Sequence, residues 1–228
     1  MASTKRSRMK CPKCGHAMEI KYIQSVNTAQ DPELVGQVLD FSINNINCES
    51  CGSQVFIDDY FLFNDMERHY LVAKYPQSEL ARWKDVVAAD RKMFSSVPEE
   101  LQVDFENRLV FGPFALKEKI LLKQNGIDDK VMEMYKVGLF GEIGETYFNG
   151  RYRIYYLNSD QEGYHVMVLV DVEQKEEKNL IKVPVETFDK FREETYPTLL
   201  GKELVDLIVE PPFVSMEKMF FAPDYMKN

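Results

Sequence analysis

The chain has 228 residues, 45% of them apolar, and a formal net charge of -9. That apolar fraction supports a conventional globular core. No window reaches the roughly 18 apolar residues of a membrane span, since even "YHVMVLVDV" is broken by Asp171, and the negative charge disfavours broad adhesion to nucleic acid or anionic membrane.

The charge is uneven. Residues 1–75 carry eight Lys/Arg against nine Asp/Glu, and the remainder twenty against twenty-eight, so the acidity belongs to the second part. The opening "MASTKRSRMK" has four basic side chains but no apolar stretch behind it, which predicts a basic, disordered arm over 1–10 rather than a secretory leader. Residues 11–76 form a β-rich unit. "AMEIKYIQSV" has strand spacing, and "DPELVGQVLD" predicts a turn and short helix with Asp31 as cap and Pro32 at the first helical position. β-Branched and aromatic residues then dominate through "DDYFLFND", with "MERHYLVAKY" as one further strand.

Residues 77–146 change period. Leu80, Trp83, Val86 or Val87, and Met93 or Phe94 recur at helical intervals, Gly126 is suited to end a helix, and Asp128 to cap the next. Residues 147–210 predict a hairpin around "NSDQEG", a third strand "NLIKVPV", and helices at "ETFDKFREETY" and "LLGKELVDLIV". Residues 211–228 lose regularity and read as an arm with Met and Phe anchors, packing on their own domain or on a second copy of the chain. The fold class expected is α+β: an N-terminal β-rich unit, a helical middle, and a C-terminal β-hairpin plus helices.

Cys11 and Cys14 in "CPKCG" and Cys48 and Cys51 in "CESCG" are the only cysteines, and each pair is followed directly by a glycine. Two cysteines two residues apart can place both sulfurs on one ion at a tight turn, and a tetrahedral structural zinc needs two such turns. Gly15 and Gly52 permit the positive φ that such a turn requires. The expected cofactor is therefore one structural zinc per chain, held by Cys11, Cys14, Cys48 and Cys51. A redox couple, an iron or iron–sulfur centre and unligated thiols are the alternatives, and four thiolates accept zinc or iron. Free thiols in a chain without a leader predict a cytoplasmic location. His16 would compete poorly for a place on the metal. His69 and His165 stand in strand-like text and read as ordinary sheet residues.

These cysteine turns, together with "NTAQDPEL", "NDMERHYLV" and the downstream "RLVFGPFALKEKILLKQNGIDDKVMEMYK", resemble the CpXC-domain family of bacteria and archaea over roughly residues 11–140. The resemblance implies a zinc-ribbon-like unit with the same four cysteines as ligands, and no reaction. Glu49 stands where the motif's proline would be, which costs turn rigidity but no sulfur.

A four-thiolate site is coordinatively closed and stabilises rather than catalyses. No phosphate loop, Gly-x-Ser-x-Gly or His-Glu-x-x-His motif is present, so no catalytic residue is assigned. The expected function is a non-enzymatic zinc-stabilised binding or scaffold protein that recognises a protein partner or a second copy of itself. The first alternative is a nucleic-acid-binding ribbon, favoured by the basic arm and disfavoured by the overall charge. The second is an enzyme using Asp128, Asp129 and Glu133, although two carboxylates at a helix start also serve as caps. Glu118 and Lys119 read as a solvated or paired helix face.

Overall fold

The computed structural model describes residues 2–95, 105–144, 147, 150–174 and 176–221. The continuation of the helical pattern through residues 96–104, and residues 222–228 of the C-terminal arm, lie outside them. The chain divides into two compact units, Met1–Leu116 and Lys117–Asn228. The architecture is α+β.

In the first unit, β1 (Ser3–Lys10) and β2 (Ala17–Asn27) form an antiparallel hairpin. An unstructured arm is expected over 1–10, yet Ser3–Lys10 pair with the length of β2. The reason is amphipathicity that the arm's charge conceals: Lys5, Ser7 and Met9 stand opposite the buried Tyr22, Ile20 and Met18, and Arg6, Arg8 and Lys10 take the exposed face. Helix α1 (Glu33–Leu39) follows. Pro32 itself occupies its N-cap position, with no side-chain cap from the expected Asp31.

Strands β3 (Asn45–Asn47) and β4 (Gln54–Phe56) make a small second hairpin. The strands β5 (Phe61–Asp65), β6 (Tyr70–Tyr75) and β7 (Glu106–Phe111) complete a five-stranded sheet in the order β1-β2-β5-β6-β7. β2 with β5 and β6 with β7 are parallel pairs. Only Tyr70–Tyr75 of "MERHYLVAKY" is strand; His69 sits in the preceding turn with φ 46°. β7 falls inside the stretch expected to be helical. Its run "RLVF" is buried from Arg108 onward, and a short apolar run of this kind looks alike as strand or helix. A 3-10 turn, Gln77–Arg82, leads into α2 (Trp83–Ser95), whose Trp83, Val86, Val87 and Asp90 are buried at helical spacing.

Helix α3 (Gly112–Gln124) spans the division between the units, and α4 (Asp129–Ile143) follows it. Gly126 takes φ +67° at the end of α3, and Asp128 accepts a hydrogen bond from the Lys130 amide as N-cap of α4. β8 (Tyr152–Ser159), β9 (Tyr164–Asp171) and β10 (Glu176–Pro184) form an antiparallel sheet in the order β10-β9-β8. Helices α5 (Val185–Lys190), a π-helical stretch Phe191–Thr195, α6 (Tyr196–Leu199) and α7 (Glu203–Val209) come next, then a 3-10 turn, Met216–Phe221. Leu122, Met132, Phe140, Tyr156, Met167 and Phe188 form the centre of this unit's core.

The C-terminal segment packs on its own unit as far as it is described. Phe213, Val214, Met216 and Met219 are buried, Glu217 pairs with the equally buried Arg153 at 2.6 Å, and Lys218 Nζ donates to the carbonyls of Leu207 and Glu210 at the end of α7. A cation on those terminal carbonyls also meets the negative end of the helix dipole.

Candidate metal centre

The four cysteines lie on two turns of the same construction. The first joins β1 to β2, where the Cys11 amide donates to the His16 carbonyl at 2.8 Å and the Gly15 amide to the Cys11 carbonyl at 2.9 Å. The second joins β3 to β4, where Cys48 donates to the Ser53 carbonyl at 2.9 Å and Gly52 to the Cys48 carbonyl at 2.8 Å. Both glycines take positive φ, +73° at Gly15 and +67° at Gly52. A Cβ at either position would meet nothing, so backbone conformation and not space requires glycine there.

The turns face each other so that all four Sγ atoms lie within 4.8 Å of one another. Cys11 and Cys51 are 3.8 Å apart across the site, and Cys14 and Cys48 3.7 Å. A tetrahedron of sulfurs about 2.3 Å from a central ion has edges of about 3.8 Å. The donor set and its spacing therefore fit one tetrahedral metal ion. Among the described residues no other group of three or more Cys, His, Asp or Glu side chains converges in this way.

Cys11 and Cys48 are buried, Cys14 and Cys51 exposed. The buried pair belongs to an apolar cluster with Met18, Ile20, Tyr22, Val55 and Ile57, which ties the site to the hairpin packing. Ser53 completes it: its hydroxyl lies 2.9 Å from Cys51 Sγ and 3.5 Å from Cys11 Sγ. That hydroxyl is the largest influence lowering Cys11, to about 6, and Cys51. Cys14 goes the other way. The His16 amide favours its thiolate, but burial and the neighbouring sulfurs outweigh that and push it up to about 11. Ser53 is the site residue that sequence reasoning passes over. Its one signal is position, directly after the turn glycine. His16 contributes its backbone, and its side chain is exposed and outside the cluster.

The carboxylates Asp128, Asp129 and Glu133 do not share an open cleft. Asp128 caps α4 and is exposed. Asp129 and Glu133 are buried and pair with Lys119 at 2.9 and 3.1 Å. Glu133 also meets Lys136 at 3.0 Å and accepts the Met216 amide. Glu118 and Lys119, expected on a solvated or paired face, are paired and are 1% and 2% exposed. The period of α3 hides this because the charged pair is flanked by Leu116, Ile120 and Leu122, all buried as well. Burial pushes the Glu118 carboxyl up, whereas for Glu133 the two lysines outweigh burial and hold it down.

His165, on β9, is buried between the rings of Tyr156 and Phe188, and its Nδ1 lies 2.9 Å from the Ser159 hydroxyl. Of the rings of "DDYFLFND", Phe61 and Phe63 are likewise core, and Tyr60 is half-buried. The acidic neighbours are each paired, Asp58 with Lys74, Asp59 with Lys5 and Asp65 with Arg68.

Two facing cysteine turns on hairpins, set against a shared apolar cluster, define a metal-binding ribbon domain. The chain belongs to the CpXC protein family, whose model matches residues 9–136, more than half of its length. No curated protein and no solved structure matches it. No helix among the described residues is long and apolar enough to cross a membrane.

Proposed function

We propose that the four thiolates hold one zinc ion as a structural crosslink and that the protein is a non-enzymatic binding or scaffold module acting on a protein partner. The observation that carries this reading is the four-sulfur cluster with tetrahedral spacing. Four thiolates saturate the ion and leave no coordination position for water or substrate. The buried carboxylates of the second unit support the same reading, because their oxygens are engaged by Lys119, Lys136 and backbone amides and present no open catalytic face.

Metal analysis of protein purified without chelator tests the first half, with about one zinc per chain expected and a loss of it in Cys48→Ser. The second half is tested by retention of a specific protein on the loaded chain and not on the Cys48→Ser chain. Turnover of a defined substrate, abolished by Glu133→Gln in a chain that remains folded, overturns it.

A second reading rests on one surface. The exposed face of the β1–β2 hairpin carries Arg6, Arg8, Lys10 and Lys21 against the single acid Glu19, to which Arg8 is paired. That face suits phosphate contacts. Basic residues on an edge strand also keep the sheet from pairing with another chain, which is sufficient reason for them. Salt-dependent retention on single-stranded DNA or RNA, weakened by Arg6→Ala with Lys21→Ala, separates the two. These substitutions are preferred to deleting residues 1–10, which would remove a strand.

A further inference from the structure

In the first unit, strands β5, β6 and β7 line with α2 a half-open pocket of about 410 Å³, inside the range of about 300–1,000 Å³ typical of small-molecule sites. Leu62, Leu71, Ala73, Met93 and the rings of Tyr60 and Phe105 make its walls mainly apolar. Three polar side chains interrupt them: Asn64 from β5, Asn107 from β7 and Asp90 from α2.

These three are unusual. Asp90 is 2% exposed, and its Oδ1 accepts from the Tyr75 hydroxyl at 3.2 Å. Its Oδ2, Asn64 Oδ1 and Asn107 Oδ1 are buried and accept no hydrogen bond among the described residues. A buried acceptor without a donor forfeits its hydration with nothing in return, and three such atoms around one cavity are not what close packing alone leaves behind. Asp90 also has no ion pair among the described residues, although a buried carboxylate is costly without a cation. Burial pushes this carboxyl up, and the Tyr75 hydroxyl and the nearby Asn107 carboxamide only partly offset that.

We propose that this cavity binds a small amphipathic organic cation, an apolar body bearing a primary ammonium, with the ammonium directed at Asp90, Asn64 and Asn107. A primary ammonium carries three N–H donors and no acceptor, which matches three unpartnered oxygens. One of those oxygens bears the charge that selects an ammonium over a neutral hydroxyl. Aromatic walls favour a cation further, and the apolar lining takes the body of the ligand.

The test is isothermal calorimetry on the full, metal-loaded chain at neutral pH with three probes of similar shape: 2-phenylethylamine, 2-phenylethanol and 3-phenylpropionate. The amine binds saturably at one site, the alcohol at least tenfold more weakly, and the acid not measurably. Asp90→Asn lowers amine affinity at least tenfold, to the level of the alcohol. Leu71→Trp, at a partly exposed wall position, fills the cavity and removes binding of every probe, so the assignment stays testable if Asp90→Asn does not fold. Absence of saturable amine binding overturns the proposal. So does equal binding of amine and alcohol, or amine binding that Leu71→Trp leaves unchanged.

Discussion

Lys136 on α4 donates to both carboxylate oxygens of Glu118 on α3, at 3.0 and 2.9 Å, with each side chain almost inaccessible. The pair belongs to a five-member network with Lys119, Asp129 and Glu133. Taking such charges out of water is expensive, and removing one partner leaves the other buried without compensation. Lys136→Met is expected to cost about 3–5 kcal/mol in urea unfolding. Adding Glu118→Leu to it recovers part of that loss, so the double variant is less unstable than the sum of the two singles.

Removal of the metal is expected to loosen the ribbon and leave the second unit folded. Amide hydrogen exchange after chelation should accelerate in β1, β2, β3 and β4, whose packing surrounds the site, and change little in β8, β9 and β10. Structural zinc contributes on the order of 10 kcal/mol to small ribbons, so the thermal transition of the first unit should fall by many degrees.

In the metal-free protein the thiols should react in a definite order. Cys51 is exposed with a lowered pKa, while Cys14 is exposed with one near 11, and the thiolate is the reactive form. Iodoacetamide at pH 7 followed by peptide mass spectrometry should therefore label Cys51 well ahead of Cys14. Ser53→Ala should narrow the gap by removing the hydroxyl beside Cys51. Metal loading should protect all four.

The second unit should lose stability in two acid steps. Burial lowers the His165 pKa below its ordinary 6.5, so the folded state binds that proton less readily than the unfolded chain. Its contribution is complete above pH 6.5 and declines as the pH falls below that value. The Arg151 guanidinium holds Asp171 down at about 2 and the two lysines hold Glu133 down, so both contributions are lost as the pH falls below about 4. His165→Gln should remove the first step in urea titrations and leave the second.

The cysteine site was legible because its geometry is local. Each Cys-x-x-Cys-Gly turn carries its own instructions, and only the meeting of the two turns is a tertiary fact. Strand alternation likewise announced β2, and a polar loop between two apolar runs announced β8 and β9. Two features were not legible, for opposite reasons. Ser3–Lys10 look like a tail because β1 is an edge strand that has to carry charge on one face. Glu118, Lys119 and Lys136 look like a solvated face because a helix does not state which of its charges meet one another in the interior. The cavity beside Asp90 lay further still from view, since its lining comes from three strands and a helix separated along the chain.

The two cysteine turns are separated by 33 residues, and an ion between them ties that stretch into a closed ring as a disulfide would. By loop-closure reasoning such a tie is worth about 4 kcal/mol through the freedom it takes from the unfolded chain. Unlike a disulfide it answers to the supply of metal and not to the redox poise of the compartment. With such an ion bound, the order of this ribbon would follow how much of the ion its surroundings hold free.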